Sequence, residues 1–252
     1  MFIRNESFRS FLRHYPVVSF IVGINLVIFL PVFFWPGHFI VNLMAQYNIR
    51  IAMGEYWRLV TPIFLHATIP HVLFNSFSTV LFAPALERIL GKWRFIAAYL
   101  GAGVIGNIAT FLLQGPYYGS LGASGAIFGL FGIYIYMILF RKDLIDRDSQ
   151  QIVVTIIVFS LIMTFFSANI NILAHLFGLI GGLLLAPPLL AAVPQGFSWQ
   201  PSMRRGHYHD TNVTFDPNRW KKKQRRKDIA KKGIWGLIAL FVLLGIIYTI
   251  IG

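Results

Sequence analysis

Long apolar segments alternate with short polar connections along this chain. A helix needs about 20 apolar residues to cross a bilayer. By this criterion the sequence predicts seven membrane spans, at 17–35, 68–86, 93–114, 124–140, 151–168, 171–193 and 234–251. The second segment is diluted by polar residues, and polar side chains in a span usually face the bundle interior or a wet cavity. We therefore predict an all-α, polytopic membrane helical bundle.

The composition agrees with this prediction. Of the 252 residues, 56% are hydrophobic and only 12% are charged, whereas a soluble domain is about a quarter charged. The chain has no cysteine, which excludes disulfides, thiolate zinc sites and a cysteine nucleophile. The run 17–35 is longer than the hydrophobic part of a signal peptide and no small-residue cleavage site follows it, so we expect a retained first span.

The basic residues indicate how the spans are oriented, because cytoplasmic loops are enriched in lysine and arginine. If every predicted span crosses, the basic tail 1–16, the connections near 87–94 and 141–150, and the segment 194–233 share one side. The opposite connections, 36–67, 115–123 and 168–171, contain only Arg50 and Arg58 as strong bases. We predict a multi-pass protein of the cell membrane, taken as a bacterial plasma membrane, with a cytoplasmic N-terminus and the C-terminus outside.

Half of the positive charge is concentrated in one segment. Eleven of the 22 lysines and arginines lie in 194–233. Such a cluster could bind nucleic acid, but beside a predicted span it favours anionic lipids, and we expect no nucleic-acid partner. The predicted organisation is a basic tail 1–16, a six-helix core 17–193, a basic linker 194–233 and an extra C-terminal helix in 234–252.

A serine and a histidine lie at the outer ends of two predicted spans. Ser124 begins the fourth span and His175 lies near the start of the sixth. Each is followed by about 26 Å of apolar helix at ~1.5 Å per residue, so we expect both side chains at a similar depth below the outer surface. A serine hydroxyl becomes an effective nucleophile when a histidine removes its proton. The sequence therefore predicts a Ser124–His175 dyad.

Small residues should allow these two spans to pack closely. Gly125 and Gly129 lie four residues apart on the fourth span, and Ala174, Gly178 and Gly182 do so on the sixth. Rows of small residues at this spacing let helix backbones touch in membranes.

We expect no carboxylate in any span, because all nine acidic residues fall in proposed loops. The triad acid is therefore absent, an aspartyl intramembrane protease is excluded, and no His-Glu-x-x-His zinc motif is present. We expect no metal and no cofactor. His71 and Asn75, on one face of the second span, and the backbone N–H of Ser124 are candidate donors to an oxyanion. Together with His66 and Thr68 they should line a polar cavity open to the outside.

Each of these residues also has a structural interpretation. Ser124 could be a helix cap, His175 could hydrogen-bond a neighbouring helix, and His71 and Asn75 could bond to each other. The sequence leaves two roles open for His66, a structural partner that lines the cavity or a group that contacts the substrate.

The motifs resemble those of the rhomboid family of intramembrane serine proteases. The similarity covers about residues 17–193 and is carried by Gly122-Ala123-Ser124-Gly125, by Ala174-His175-Leu176-Phe177-Gly178 continuing to Gly182, by His66-(x)4-His71-(x)3-Asn75, and by Trp57-Arg58.

The resemblance implies a six-helix core that cleaves spans of single-span or polytopic membrane proteins near their outer ends. It implies Ser124 as nucleophile, His175 as general base, and His71 and Asn75 as oxyanion donors. Phe128 departs from the family, which often has tyrosine against the catalytic histidine. The fifth span, with Phe165 and Phe166, is a candidate lateral gate.

Two other functions are consistent with parts of this sequence pattern. A non-enzymatic rhomboid-fold protein that escorts membrane clients would not need the Ser124–His175 pair. A transporter is disfavoured because no acid in a span could couple ion movement.

Overall fold

The described part of the chain consists of α-helices joined by short loops and one small pair of strands. The computed structural model describes residues 1–2, 4, 6–34, 39–166 and 170–195. Within them the helices are α1 (Phe8–His14), α2 (Pro16–Phe34), α3 (Phe39–Met44), α4 (Asn48–Ala52), α5 (Ile69–Leu90), α6 (Lys92–Leu113), α7 (Ser124–Phe140), α8 (Arg147–Phe166) and α9 (Ile172–Leu190). Strands β1 (Gln46–Tyr47) and β2 (Gly119–Ser120) pair antiparallel.

Six apolar helices correspond to the first six predicted spans. Helices α2, α5, α6, α8 and α9 are long and apolar enough to cross a membrane, and α7 is a shorter apolar helix. The all-α polytopic fold and a multi-pass membrane protein are thereby confirmed. The seventh span and the linker beyond residue 195 lie outside the described residues, so the six-plus-one count stays a prediction.

Helix α7 lies at the centre of the bundle, with α5, α6 and α9 packed around it. Every residue from Gly125 to Tyr134 is buried. A helix that is hydrophobic on all sides is suited to this position. Because Ser124 begins this helix, the candidate nucleophile is attached to the most enclosed element of the fold.

Helices α7 and α9 approach along their small residues, as expected. A Cβ added to Gly178 would lie 2.9 Å from the carbonyl carbon of Gly125. A Cβ added to Gly182 would lie 2.5 Å from the carbonyl carbon of Gly129 and overlap its oxygen. Only glycine fits where two backbones touch in this way.

Helix α5 continues beyond its predicted end and contains Glu87, so the expectation that all acids lie in loops is wrong. Glu87 is 4% exposed. Its carboxylate accepts hydrogen bonds from the backbone N–H groups of Val17, at 3.0 Å, and Val18, at 2.9 Å. These groups lie in the first turn of α2, where N–H groups lack helical partners and negative charge is favourable. Asp148 likewise lies within α8, in its first turn.

The long connection after α2 is built around a buried arginine. Arg58 is 1% exposed, its Nε donates to Glu55 Oε2 at 2.5 Å, and its Nη1 donates to the carbonyl of Ala45 at 2.7 Å. The carbonyl belongs to the residue before β1, which pairs with β2. The connection thus supports the segment that leads into Ser124.

Candidate active site

Ser124 is the first residue of α7 and does not cap it. The capping position is held by Ala123, and no side chain makes a capping hydrogen bond there. The Ser124 hydroxyl has no hydrogen-bond partner among the described residues and lies at the edge of a cavity. The interpretation of Ser124 as a helix cap is therefore not supported.

A cavity of about 630 Å³ brings the four predicted site residues together. Ser124, His175, His71 and Asn75 all line it, and they come from α7, α9 and α5. No hydrogen bond joins the Ser124 hydroxyl to the His175 imidazole in the described structure. Such bonds are often long without substrate and tighten when it binds.

His175 lies in the first turn of α9 and is held on two sides. Its ring stacks on that of Phe128, with centroids 4.2 Å apart and an interplanar angle of 16°. Its Nδ1 lies 2.8 Å from Oγ1 of Thr164 on α8. Phenylalanine thus provides the ring contact that tyrosine often provides in the family. Together the two contacts restrict rotation of the His175 ring.

The start of α9 is fixed by Asn171, which the sequence reasoning missed. Its Oδ1 accepts from the N–H of Ala174 at 3.0 Å, which is the capping bond of the helix. Its Nδ2 donates to Thr110 Oγ1 and Ser120 Oγ, each at 3.0 Å. These bonds tie α9 to α6 and β2 one turn before His175. An asparagine directly before an apolar run is a common cap, so a signal was present.

His71 lies against the backbone that precedes Ser124. Gly122 has φ +130°, and a Cβ there would lie 2.7 Å from His71 Nε2 and 3.8 Å from Ser124 Oγ. Glycine is required both by this φ and by the space. His71 Nε2 and Ser124 Oγ therefore both lie close to the same side of Gly122.

Asn75 follows one helical turn after His71 and is 6% exposed. Its Nδ2 donates to the backbone carbonyl of His71 at 2.9 Å, so the two residues are joined through the backbone and not side chain to side chain. An amide nitrogen carries two hydrogens. One N–H of Asn75 is thus available to the cavity.

His66 and Thr68 do not line this cavity, contrary to the expectation. His66 is fully buried, and its ring lies edge-on to that of His71 at 5.0 Å. Burial, followed by the nearby His71, lowers the pKa of His66 to about 3. The neutral His66 ring packs against His71 and does not line the cavity. A structural role for His66 is therefore favoured over a contact with substrate. Thr68 caps α5, accepting from the N–H of His71 at 3.3 Å.

Helix α8 is the loosest of the helices around the site. Only Ser149, Val153, Ile157 and Thr164 of its twenty residues are buried. Phe165 and Phe166 are 63% and 83% exposed. The buried residues form one narrow stripe, and its member Thr164, which the sequence reasoning also missed, lies within hydrogen-bond distance of His175.

An apolar helical bundle with a serine and a histidine lining one cavity has the architecture of an intramembrane serine endopeptidase. The chain belongs to the rhomboid family, since residues 53–192 match the Rhomboid domain. It is 51% identical over 189 residues to YdcA, a rhomboid-family protein of Bacillus subtilis (strain 168), covering 74% of this chain and 94% of YdcA.

Other relatives match a smaller part of their own length. Rhomboid protease GluP of Bacillus subtilis (strain 168) is 42% identical over 145 residues, which is 58% of this chain and 28% of GluP. Rhomboid-type serine protease 2 of Emericella nidulans is 30% identical over 141 residues, which is 53% of this chain and 27% of that protein. Membership of the family makes this chain a serine endopeptidase of the membrane.

Proposed function

We propose that Ser124 and His175 form the catalytic dyad of this endopeptidase. The observation that carries the proposal is that both line one cavity, in the first turns of two helices that pack backbone to backbone. His175 takes the hydroxyl proton as Ser124 Oγ attacks the scissile carbonyl carbon. It then gives that proton to the leaving amine, and water releases the acyl group by the same steps.

The negative charge that develops on the carbonyl oxygen requires hydrogen-bond donors. We assign this role to the His71 ring, the Asn75 amide and the backbone N–H of Ser124. The first turns of α5, α7 and α9 all face the cavity, and helix N-termini carry positive partial charge. Loss of one such donor typically costs about 10²–10³ in rate.

The substrates of this site would be spans of other membrane proteins, single-span or polytopic, cut near their outer ends. A formed helix hides its peptide bonds, so the substrate must unwind locally. Glycine and proline weaken helices most, and we expect small or helix-breaking residues at the cut. The N-terminus would be cytoplasmic and the C-terminus outside, with the basic linker 194–233 against anionic lipids.

Helix α8 is our candidate for the lateral gate through which a substrate enters. Its narrow buried stripe and exposed Phe165 and Phe166 support this assignment. A crosslink between α8 and α5 should abolish cleavage of a membrane substrate. Undiminished cleavage by the crosslinked protein would exclude α8 as the gate.

Labelling with a fluorophosphonate probe tests the dyad. The wild type should be labelled, and Ser124→Ala and His175→Ala should not be. The chain offers a matched control on α1, where Ser10 Oγ lies 3.1 Å from His14 Nδ1. Ser10→Ala and His14→Ala alter a serine–histidine pair that does not line the cavity, and both variants should label normally.

The second measurement is digestion of a single-span substrate followed by mass mapping of the cut. A cut near the outer end of the span, lost in both dyad variants, is the expected result. Folded wild-type protein that neither labels nor cleaves would instead favour a non-enzymatic client-binding protein.

A further inference from the structure

The hydroxyl of Thr164 makes two close contacts that together define its hydrogen-bond direction. Oγ1 lies 2.7 Å from the carbonyl oxygen of Ser160 and 2.8 Å from Nδ1 of His175. Thr164 is 2% exposed and His175 is 7% exposed, so water does not compete strongly with this pair.

A threonine hydroxyl has one proton to donate, and a carbonyl oxygen can only accept. If both contacts are hydrogen bonds, the hydroxyl donates to Ser160 and its oxygen accepts from the imidazole. The acceptor role requires a proton on Nδ1 of His175. In the neutral ring Nε2 then carries the lone pair, which is the form that can remove a proton from serine.

We propose that Thr164 is a positioning residue that holds His175 in its Nδ1-protonated form with Nε2 available to Ser124. In a Ser-His-Asp triad a carboxylate fixes the tautomer in this way. No carboxylate lines this cavity within the described residues. This inference rests on the proposed dyad and adds a neutral hydroxyl as its third member.

The position of Thr164 links the base to the helix proposed as the gate. Of the four buried residues of α8, Thr164 is nearest the exposed pair Phe165 and Phe166. Displacement of this end of α8 would remove the acceptor from Nδ1. The orientation of the base therefore depends on how α8 is seated.

Two substitutions at one position separate the hydroxyl from the shape of the side chain. Thr164→Val keeps the branched shape and removes the hydroxyl, whereas Thr164→Ser keeps the hydroxyl. We expect Thr164→Val to lower kcat on a single-span substrate about 3- to 10-fold, the effect of one net hydrogen bond. KM should not change, and Thr164→Ser should restore most of the rate.

The matched control is Thr155→Val, the same change on the same helix at an exposed position. It should leave kcat within about twofold of the wild type, as surface changes usually do. An equal loss in Thr155→Val and Thr164→Val would overturn the proposal, because the loss would then come from α8 in general.

¹⁵N NMR of ring-labelled histidine reads the tautomer of His175 directly in the wild type, without a measurement of turnover. The His175 signal is identified by its loss in His175→Ala. The wild type should show a protonated Nδ1 and an unprotonated Nε2, and Thr164→Val should show a mixture. A wild type protonated on Nε2 would overturn the proposal.

Failure of this proposal differs from failure of the dyad. If Ser124→Ala and His175→Ala abolish turnover while Thr164→Val has the kcat and tautomer of the wild type, only the role of Thr164 is refuted. If the dyad variants retain turnover, the proposed function is refuted first.

Discussion

The contact between α7 and α9 should fix the distance between Ser124 and His175, and alanine at either of the two α9 glycines that contact α7 tests this. The changes are Gly178→Ala and Gly182→Ala. At Gly182 the added Cβ would lie 2.5 Å from the carbonyl carbon of Gly129. Ordinary contacts between carbon atoms are about 3.5–4.0 Å, so the helices must separate by roughly 1 Å or more.

A separation of this size has two measurable consequences. Overpacking costs about 1–3 kcal/mol of unfolding free energy. A misplacement of about 1 Å can cost about 10²-fold in rate. Gly178 lies one turn and Gly182 two turns from His175, so a shift at either position should reach the imidazole, and we expect kcat to fall by about 10²-fold in both variants. The loss of stability should be larger for Gly182→Ala, because the added Cβ comes closer to α7 there than at Gly178.

Turnover of a single-span substrate and thermal unfolding in detergent provide the two readouts. Gly23→Ala on α2 is the control, because a Cβ there meets nothing within 4 Å. It should keep full activity and gain about 1 kcal/mol from the better helix propensity of alanine. Normal turnover in both α9 variants would refute the reasoning that backbone contact sets the geometry of the dyad.

Three further predictions follow from single contacts. Phe128→Leu removes the ring stacked on His175 and should lower kcat roughly fivefold, about 1 kcal/mol, whereas Phe128→Tyr keeps the stack; equal rates in the two variants would contradict this role. Glu87→Ala removes two charge-assisted bonds to the start of α2. It should lower the unfolding free energy by at least about 1.5–3 kcal/mol, the contribution of one such bond, and an unchanged unfolding midpoint would contradict this. Asn171→Ala should cost about 1 kcal/mol of stability and reduce turnover, and Asn171→Ser, which can still cap, should recover both; no difference between these variants would contradict the capping role.

Most of the fold was predictable because hydrophobicity and chain length alone determine which segments can span a bilayer. The first six predicted spans correspond to helices, and the small residues at Gly125, Gly129, Gly178 and Gly182 predicted which two helices touch. The end of α5 was not predictable in this way. From the sequence alone, the charge of Glu87 predicts a loop. Its place in a buried helix is explained only by the N–H groups of α2 that bind it.

The residues that line the site were also predictable, but the residues that hold them in place were not. Ser124, His175, His71 and Asn75 carry recognisable chemistry, and the structure brings all four to one cavity. Thr164 and Asn171 would act only through the residues that they contact. A threonine in an apolar span usually bonds its own helix backbone, so no local pattern distinguishes the one that also contacts the base.

The packing of the bundle separates two requirements that conflict in a protease of membrane spans. The proposed dyad needs positions held within a fraction of an ångström, and the direct backbone contact between α7 and α9 would provide this. The proposed substrate is a span of another membrane protein, and it can reach the cavity from the lipid only if one of the surrounding helices moves. Helix α8 meets the bundle through one narrow stripe, so the proposed displacement would break few contacts and would leave the backbone contact between α7 and α9 in place. If Thr164 holds the base, that displacement also removes the acceptor from His175, so full activity requires α8 to close again after the substrate has entered.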